Sequence, residues 1–306
     1  MSTIPAAFRS LVDDAAIFPP GNAPLQEALR AHLRHRSEAY ADLVGPFVVS
    51  DMALPDLIEA VRSDGGAGSL AVSVVVTGGA GAIEPAVRWA SRAEELELAS
   101  LELGLRDEED LPRNARRVTT VVDQLRAAGD LDDETPVYVE PPRAVGPTPS
   151  PSWLTALDEI AALDLRLKFR TGGVTADAFP TAAELATGID AALDRELRFK
   201  CTAGLHNAVR HRDDETGFEH HGFLNVLLAT RAAWDGGTVD EASRILDLED
   251  ADAVCAALDE AGEAGLASAR RWFTSFGSCS VLEPLADLRG LDLLHELPSD
   301  PPRETP

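Results

Sequence analysis

Two lysines are the residues of this chain whose type and spacing point most clearly to chemistry. Of its 27 lysines and arginines, only Lys168 and Lys200 are lysines, so the other 25 (27 − 2) are arginines. The lysines lie in LRLKFRTGG (165–173) and LRFKCTAGLH (197–206), each near the end of a short apolar run that precedes a glycine-containing turn. A desolvated lysine can lose its proton and act as an amine nucleophile, whereas arginine keeps its charge. The pattern therefore predicts Schiff-base chemistry at one of the two lysines.

The equivalent positions of the two lysines predict that they act together. A second ammonium group nearby would lower the pKa of the nucleophilic amine by like-charge repulsion, and burial would lower that pKa further. The residues alone leave open which lysine is the nucleophile. They also leave a structural alternative, in which each lysine neutralises an interior carboxylate such as Glu102.

The two lysine motifs resemble those of a known family. K-x-x-T-G-G at 168–173 and K-C-T-A-G-L at 200–205 resemble the sixth- and seventh-strand signatures of the deoxyribose-phosphate aldolase family of class I aldolases. The resemblance implies an aldolase-type lyase in which Lys168 forms the carbinolamine and the imine. It implies that Lys200 tunes the reactivity of Lys168.

The resemblance also implies roles for residues around the lysines. It requires an acidic residue that transfers protons, for which Glu102 and Asp13 are the candidates. It further implies that the turns after the two lysines help to hold a phosphate group. The turn residues concerned are Thr171, Gly172 and Gly173 after the first lysine, and Ala203 and Gly204 after the second.

Apolar, β-branched segments alternate with helical patterns along the whole chain, and this alternation predicts the elements that position the lysines. Alternating strands and helices require a parallel sheet with right-handed crossovers. We therefore expect an α/β fold, a (β/α)8 TIM-type barrel, with a doubly wound open sheet as the alternative. The expected strands lie at about 11–18, 46–50, 70–79, 98–105, 136–142, 165–170, 197–202 and 277–281.

The length of the chain fits one such barrel with additions. We expect a single barrel domain over residues 1–296 and a disordered C-terminal tail at 297–306. The segment at about 236–273 is longer than one strand-to-helix connection needs. It predicts extra helices between the seventh and eighth strands, packed on the outside or forming a partial lid over the barrel mouth.

Catalytic groups of a parallel barrel project from the C-terminal ends of its strands. Besides the lysines, that position selects Asp13 and Glu140 as catalytic candidates, with Glu102 inside a strand and His206 just beyond the seventh strand as a general acid or base. Arginines bind carboxylates and phosphates, and small-residue turns offer backbone N–H groups to anions. The candidates for binding an anionic substrate are Arg143, Arg170, Arg210, Ser278 and Ser280.

Histidines support a different class of function. His206, His211 and His220 lie close together among carboxylates, and such a set can hold a divalent metal ion. The first alternative is therefore a metal-dependent lyase, isomerase or hydrolase, and the second is a barrel that binds a ligand without catalysis. The spacing matches no standard metal motif, so we expect neither metal nor cofactor. No base for Cys279 is evident, and we expect His32 to lie on the surface of an outer helix.

Composition restricts the partners of the protein. The net charge of −25 argues against nucleic acids and anionic membrane surfaces. Three cysteines are too few for a disulfide framework, and no targeting or membrane-spanning segment is evident. We expect a cytoplasmic enzyme that acts on a small, anionic, carbonyl-containing metabolite by C–C lyase or isomerase chemistry. A homo-oligomer is left open.

Overall fold

The barrel predicted from the alternation of strands and helices is present. A computed structural model describes residues 4–64, 69–106, 110–144, 146 and 148–294. In this part of the chain eight parallel strands close into a barrel, which confirms the (β/α)8 class. In their order around the barrel the strands are β1 (Val12–Asp14), β10 (Phe273–Ser278), β7 (Phe199–Thr202), β6 (Arg166–Arg170), β5 (Val137–Glu140), β4 (Leu96–Gly104), β3 (Leu70–Val76) and β2 (Val44–Ser50).

Helices follow the strands and cover the barrel, as right-handed crossovers require. A two-stranded antiparallel ribbon, β8 (His211–Arg212) and β9 (Glu219–His220), interrupts the connection after β7 and was not predicted. The helices are α1 (Leu25–His35), α2 (Leu54–Asp64), α3 (Ile83–Arg92), α4 (Leu111–Ala128), α5 (Pro151–Ala161), α6 (Ala182–Leu193), α7 (Phe223–Trp234), α8 (Val239–Leu246), α9 (Ala251–Arg270) and α10 (Leu282–Gly290). None of the helices among the described residues is both long and apolar enough to cross a membrane.

The helix between the two lysine-bearing strands begins where its sequence indicates. Thr181 and Glu184 form a capping box, in which the Thr181 hydroxyl accepts from the Glu184 backbone N–H and the Glu184 carboxylate accepts from the Thr181 N–H. Such a box satisfies backbone donors that a helix start leaves without partners. The box therefore fixes the residue at which the loop after β6 ends and α6 begins.

The prediction for the eighth barrel strand was partly wrong. The strand covers Phe273–Ser278, so it begins four residues before the predicted segment at 277–281. Phe273 and Phe276 are both fully buried although three residues apart, a spacing typical of a helix. The register of β10 against β7 shifts between these two phenylalanines. A shift of this kind adds a residue to one strand and returns the second ring to the same face.

The segment between β7 and β10 holds the two additional helices α8 and α9. These helices pack against α6 and α7 on the outside of the barrel. Asn225 at the start of α7 fastens the end of α8 by donating to the carbonyls of Ile245 and Leu248. No residue of α8 or α9 lines the cavity at the barrel mouth, so of the two expected placements the structure shows packing on the outside. The tail expected at 297–306 lies outside the described residues.

Candidate active site

Strand register brings the two lysines side by side. Lys168 of β6 lies opposite Lys200 of β7 in the parallel ladder. Alternate side chains of a strand face the same side, and both lysines point into the barrel, where Lys168 is 4% exposed and Lys200 1% exposed. The neighbouring Phe169 and Cys201 face outward and are buried among the helices. The two strands thus hold two amines at one level of the barrel interior.

Glu102 of β4 joins the two lysines. Its Oε2 accepts a hydrogen bond from Lys168 Nζ at 3.1 Å, and its Oε1 accepts one from Lys200 Nζ at 2.6 Å. The Ser73 hydroxyl also donates to Oε1 at 2.6 Å. Glu102 therefore has the central position between the amines that a shared counter-ion or a proton-transfer group requires.

The ion pairs extend in both directions from Glu102. Asp13 Oδ2 accepts from Lys200 Nζ at 2.5 Å, at the inner end. Glu140 lies 3.0 Å from Lys168 Nζ and 2.7 Å from Arg170 Nε, at the outer end. Acidic and basic groups alternate, so their formal charges sum to zero. We call this set the ion-pair network; its members are Asp13, Lys200, Glu102, Lys168, Glu140 and Arg170.

The network gives the two lysines different electrostatic environments. Burial alone would lower the pKa of Lys200, but Asp13 and Glu102 outweigh burial and raise that pKa well above its ordinary value. Burial would raise the pKa of Glu102, yet Lys200 and Lys168 together lower it far below its ordinary value. Lys200 and Glu102 are therefore a permanently charged pair at neutral pH. Lys168 has this pair on its inner side and solvent-accessible space on its outer side.

A cavity of about 490 Å³ opens at the C-terminal ends of the strands. Lys168, Glu102 and Arg170 border this cavity, whereas Asp13 and Lys200 lie below it and do not. Of the four candidates expected to open onto one cavity, Lys168, Lys200, Glu140 and Asp13, only Lys168 borders it, although all four belong to the ion-pair network. Most of the remaining wall is apolar, with Phe18, Pro19, Pro20, Val48, Val75 and Phe179 among its residues.

The two turns after the lysines are fastened to each other. Thr171 is fully buried, and its hydroxyl donates to the carbonyls of Thr202 and Ala203. A Cβ on Gly172 would lie 2.9 Å from the Cα of Gly204, which has a φ of +78°. Both glycines are therefore required, one by close backbone approach and the other by its left-handed conformation. Thr171 therefore holds the two turns together and does not border the cavity, whereas Gly172 and Gly173 do.

The structure separates the three arginines that the sequence grouped as substrate-binding residues. Arg170 borders the cavity, but Arg143 and Arg210 do not. Arg143 donates to the carbonyls of Asp177 and Phe179 and so fastens the loop after β6. The Arg210 guanidinium lies 3.3 Å from the Asp247 carboxylate, beyond the end of α8. Arg143 and Arg210 therefore each stabilise a loop, and their positions in the sequence do not predict this role.

His206 lies at the cavity mouth beside a cysteine that sequence analysis left without a base. Its Nδ1 is 2.8 Å from Glu283 Oε2 and 3.2 Å from Ser278 Oγ, and its Nε2 is 3.8 Å from Cys279 Sγ. Ser278 in turn donates to the carbonyl of Ser280, which holds the turn after β10. His206 and Cys279 are far apart in the sequence, so no local pattern could have paired them. The expectation that Cys279 has no base was wrong.

The other histidines of the metal alternative lie apart from His206. His211 and His220 are paired in the ribbon β8–β9, where their rings stack with centroids 5.2 Å apart. His220 borders the cavity, and its Nδ1 lies 3.3 Å from the carbonyl of Gly204. Among the residues that the structure describes, no group of three or more His, Cys, Asp or Glu side chains could hold a metal ion. The structure therefore does not bring His206, His211 and His220 into a metal site.

The expectation that His32 lies on the surface was wrong. His32 is 2% exposed, and its Nδ1 lies 3.0 Å from Asp14 Oδ2. Asp13 and Asp14 are consecutive in β1, so they face opposite sides of the barrel wall. Asp13 enters the ion-pair network, and Asp14 binds α1 through His32. The helical pattern alone gave no sign of a buried polar partner for His32.

The pair of His206 and Glu283 predicts a pH dependence of stability. Burial would lower the pKa of His206, but hydrogen bonds with Cys279 and Glu283 raise it from 6.5 to about 9. A pKa raised by folding means that the charged histidine stabilises the folded state, fully below about pH 6.5. We expect this contribution to be lost as the pH rises through about 9.

Urea unfolding of the wild type and of His206→Gln at pH 6 and pH 9.5 measures this contribution. The stability gap between the two proteins should narrow at pH 9.5, by a modest amount because the Glu283 side chain is 56% exposed. His35→Gln is the control. Burial lowers the pKa of His35, so the stability gap of this variant should not narrow as the pH rises. A gap for His206→Gln that stays constant with pH would contradict the prediction.

Comparison of the chain with models of known protein families found no match. Comparison with curated proteins likewise found no significant match. The site itself, with its two lysines, its bridging glutamate and its half-open cavity, therefore carries the argument for function.

Proposed function

We propose that the protein is an enzyme that forms a Schiff base between Lys168 and a small carbonyl compound, and that it makes or breaks a C–C bond or isomerises its substrate. A closed (β/α)8 barrel with polar groups at the C-terminal ends of its strands is the architecture of many enzymes. One observation supports Lys168 as the nucleophile. It borders the cavity, whereas Lys200 is sealed below between Asp13 and Glu102.

The contacts of Lys168 suggest how its amine becomes reactive. Nucleophilic attack requires the neutral amine, and the two nearest proton acceptors are Glu140 at 3.0 Å and Glu102 at 3.1 Å. Lys200 stays charged on the far side of Glu102. We assign proton removal to Glu140, whose carboxylate lies 3.0 Å from Lys168 Nζ on the side away from Lys200.

Each step of the proposed Schiff-base reaction can be assigned to a residue of this site. The amine of Lys168 attacks the carbonyl carbon, and loss of water from the carbinolamine leaves an iminium ion. The iminium withdraws electrons from the neighbouring C–C or C–H bond, so that this bond can break or form. Glu102, which borders the cavity, is the carboxylate positioned to return protons to the carbon or oxygen atoms concerned.

The arrangement supports aldolase-type lyase chemistry in particular. In the resemblance to deoxyribose-phosphate aldolases, the chemistry needs a nucleophilic lysine, a tuning lysine and a proton-transferring acid. Lys168 and Lys200 both contact Glu102, and the three residues have these chemical types. We further propose that an anionic group of the substrate lies at Arg170 and the turn Gly172–Gly173, which border the same cavity.

Borohydride trapping tests the proposal directly. The protein is incubated with a panel of small aldehydes and ketones, reduced with sodium borohydride and digested, and adducts are located by mass spectrometry. We expect a stable secondary amine on Lys168 with at least one carbonyl compound, and none when either reagent is omitted. The chain has only one other lysine, so the assignment is unambiguous. Adducts confined to the α-amino group, or found on Lys200, would refute the role of Lys168.

A further inference from the structure

A second reactive group borders the cavity and does not belong to the ion-pair network. Cys279 follows β10 and His206 follows β7, and both residues line the cavity. Cys279 Sγ lies 3.8 Å from Nε2 and 3.9 Å from Nδ1 of the imidazole. The carboxylate of Glu283, at the start of α10, lies 2.8 Å from Nδ1. A thiol, an imidazole and a carboxylate are thus arranged in sequence, as nucleophile, base and orienting group.

Packing around Cys279 preserves space for the thiol. Gly21, in the loop after β1, approaches so closely that a Cβ there would lie 2.9 Å from Cys279 Cβ and 3.3 Å from its Sγ. Any larger residue at position 21 would push the thiol out of place. Pro19 and Pro20 of the same loop line the cavity beside it. The thiol is therefore confined between a loop and an imidazole, and its remaining open side is the cavity.

The charges around the pair favour a protonated His206. Glu283 accepts a hydrogen bond from the Nδ1–H group and stabilises the imidazolium form, and Ser278 lies 3.2 Å from the same nitrogen. A positively charged neighbour of this kind is how proteins commonly activate a cysteine as a nucleophile. The pKa of His206 is raised to about 9, so the imidazolium persists at neutral pH. His220, the other histidine that borders the cavity, has a lowered pKa, chiefly through burial, and adds no positive charge.

We propose that Cys279 and His206 form a second nucleophilic site of this cavity, a thiolate–imidazolium pair that adds reversibly to the carbonyl carbon of aldehydes. The choice of aldehydes as electrophiles rests on the proposed function, whereas the activated thiolate rests on the geometry of Cys279, His206 and Glu283 alone. The site gives an aldehyde a second position in the cavity besides Lys168.

The chemical step is balanced without a further reactant. The Cys279 thiolate forms a C–S bond to the carbonyl carbon, and the π electrons of the C=O bond move to oxygen. His206 donates its proton to that oxygen and becomes neutral. The product is a thiohemiacetal, in which nothing is oxidised or reduced. Reversal returns the proton to His206 and releases the aldehyde.

Alkylation kinetics test the thiolate. Iodoacetamide is applied at a series of pH values from 6 to 8, and the modification of each cysteine is followed by peptide mass mapping. Cys255 of α9, which lies outside the cavity, is the internal reference, because burial and nearby carboxylates raise the pKa of its thiol. An ordinary thiol is about 0.3% ionised at pH 6 and gains about tenfold in rate per pH unit. For Cys279 we expect a rate at least about tenfold above that of Cys255 at pH 6, with little change up to pH 8.

Substitutions of the partners separate activation from mere accessibility. His206→Gln should remove the advantage of Cys279 at pH 6 and restore the steep pH dependence. Glu283→Gln, at an exposed carboxylate, should reduce the advantage in part without affecting the fold. His35→Gln, a histidine that contacts Tyr40, should change nothing. A Cys279 rate that rises in parallel with that of Cys255, or that is unchanged in His206→Gln, would overturn the proposed pair.

Aldehyde capture is tested in the Lys168→Arg protein, which cannot form a Schiff base at that residue. Propanal should slow the alkylation of Cys279 and leave that of Cys255 unchanged, whereas propan-1-ol should slow neither. Failure of propanal to protect Cys279 would refute the thiohemiacetal. Because Lys168 takes no part in this measurement, its outcome is independent of whether the Schiff base on Lys168 is correct.

Discussion

Lys168→Arg is expected to abolish borohydride trapping of carbonyl compounds on the barrel interior, and with it all turnover, while the protein still folds. Arginine keeps the positive charge and the hydrogen bonds with Glu102 and Glu140 on which the ion-pair network depends. It cannot lose its proton at neutral pH or form an imine. The measurements are the yield of reduced adduct by mass spectrometry and the midpoint of thermal unfolding, which should remain close to that of the wild type.

A matched pair of variants tests whether any lysine that is accessible from the cavity would be trapped as well as Lys168. Arg170 lies two residues beyond Lys168, on the same side of β6 and with a more exposed side chain. Arg170→Lys should keep trapping on Lys168. In the double variant Lys168→Arg/Arg170→Lys, a lysine is present at the cavity but away from Glu102, and we expect no adduct on it. An adduct on position 170 as abundant as that on Lys168 would show that the ion-pair network confers no special reactivity.

Glu102→Gln is expected to lower the free energy of unfolding by about 3–5 kcal/mol. Removal of one partner from a buried ion pair leaves the other charge without compensation, and this costs far more than the loss of a surface pair. Here the neutral amide would face both Lys168 and Lys200, with Lys200 only 1% exposed. Urea unfolding at pH 7 measures the loss, and Schiff-base trapping should fall as well.

Glu97→Gln provides the control for this substitution. Glu97 lies on the same strand, β4, but its side chain is exposed, so the change should alter stability by less than about 0.5 kcal/mol. The pKa of Glu102 is lowered by folding, so its contribution is present above pH 4.5 and is lost as the pH falls below that value. The difference between wild type and Glu102→Gln should therefore shrink in acid. A loss at pH 7 below about 1 kcal/mol would mean that Glu102 is not the central counter-ion.

The relative positions of the side chains within each lysine motif could be predicted because they depend only on neighbours in the same strand. A strand alternates its faces every residue, so Lys168 and Arg170 had to share one side. The register between β6 and β7 then places Lys200 at the level of Lys168. The prediction that these groups converge at one end of a barrel followed from the alternation of strands and helices. The closed barrel confirms the fold, and the contacts of both lysines with Glu102 are those that the structural alternative also predicts.

Other parts of the site depend on distances between remote segments. The pairing of His206 with Cys279 arises because β7 and β10 are neighbours in the closed sheet, so the turns that follow them meet. Arg170 is the last residue of β6, whereas Arg143 and Arg210 lie in the loops after β5 and β7 and contact other loops. A sequence shows which residues follow a strand, but not which way the loop then turns. The central position of Glu102 was likewise decided by the register of β4.

The alternation of charge in the ion-pair network has a consequence for the energetics of the proposed reaction. The ammonium of Lys168 and the iminium that would replace it carry the same unit positive charge. The three carboxylates and the two remaining cations would therefore face an unchanged electrostatic field after the covalent bond forms. Polar groups that need not reorient when a reaction proceeds contribute no reorganisation energy to its barrier. By this argument the network is already arranged, before any substrate binds, for the cationic intermediate on Lys168.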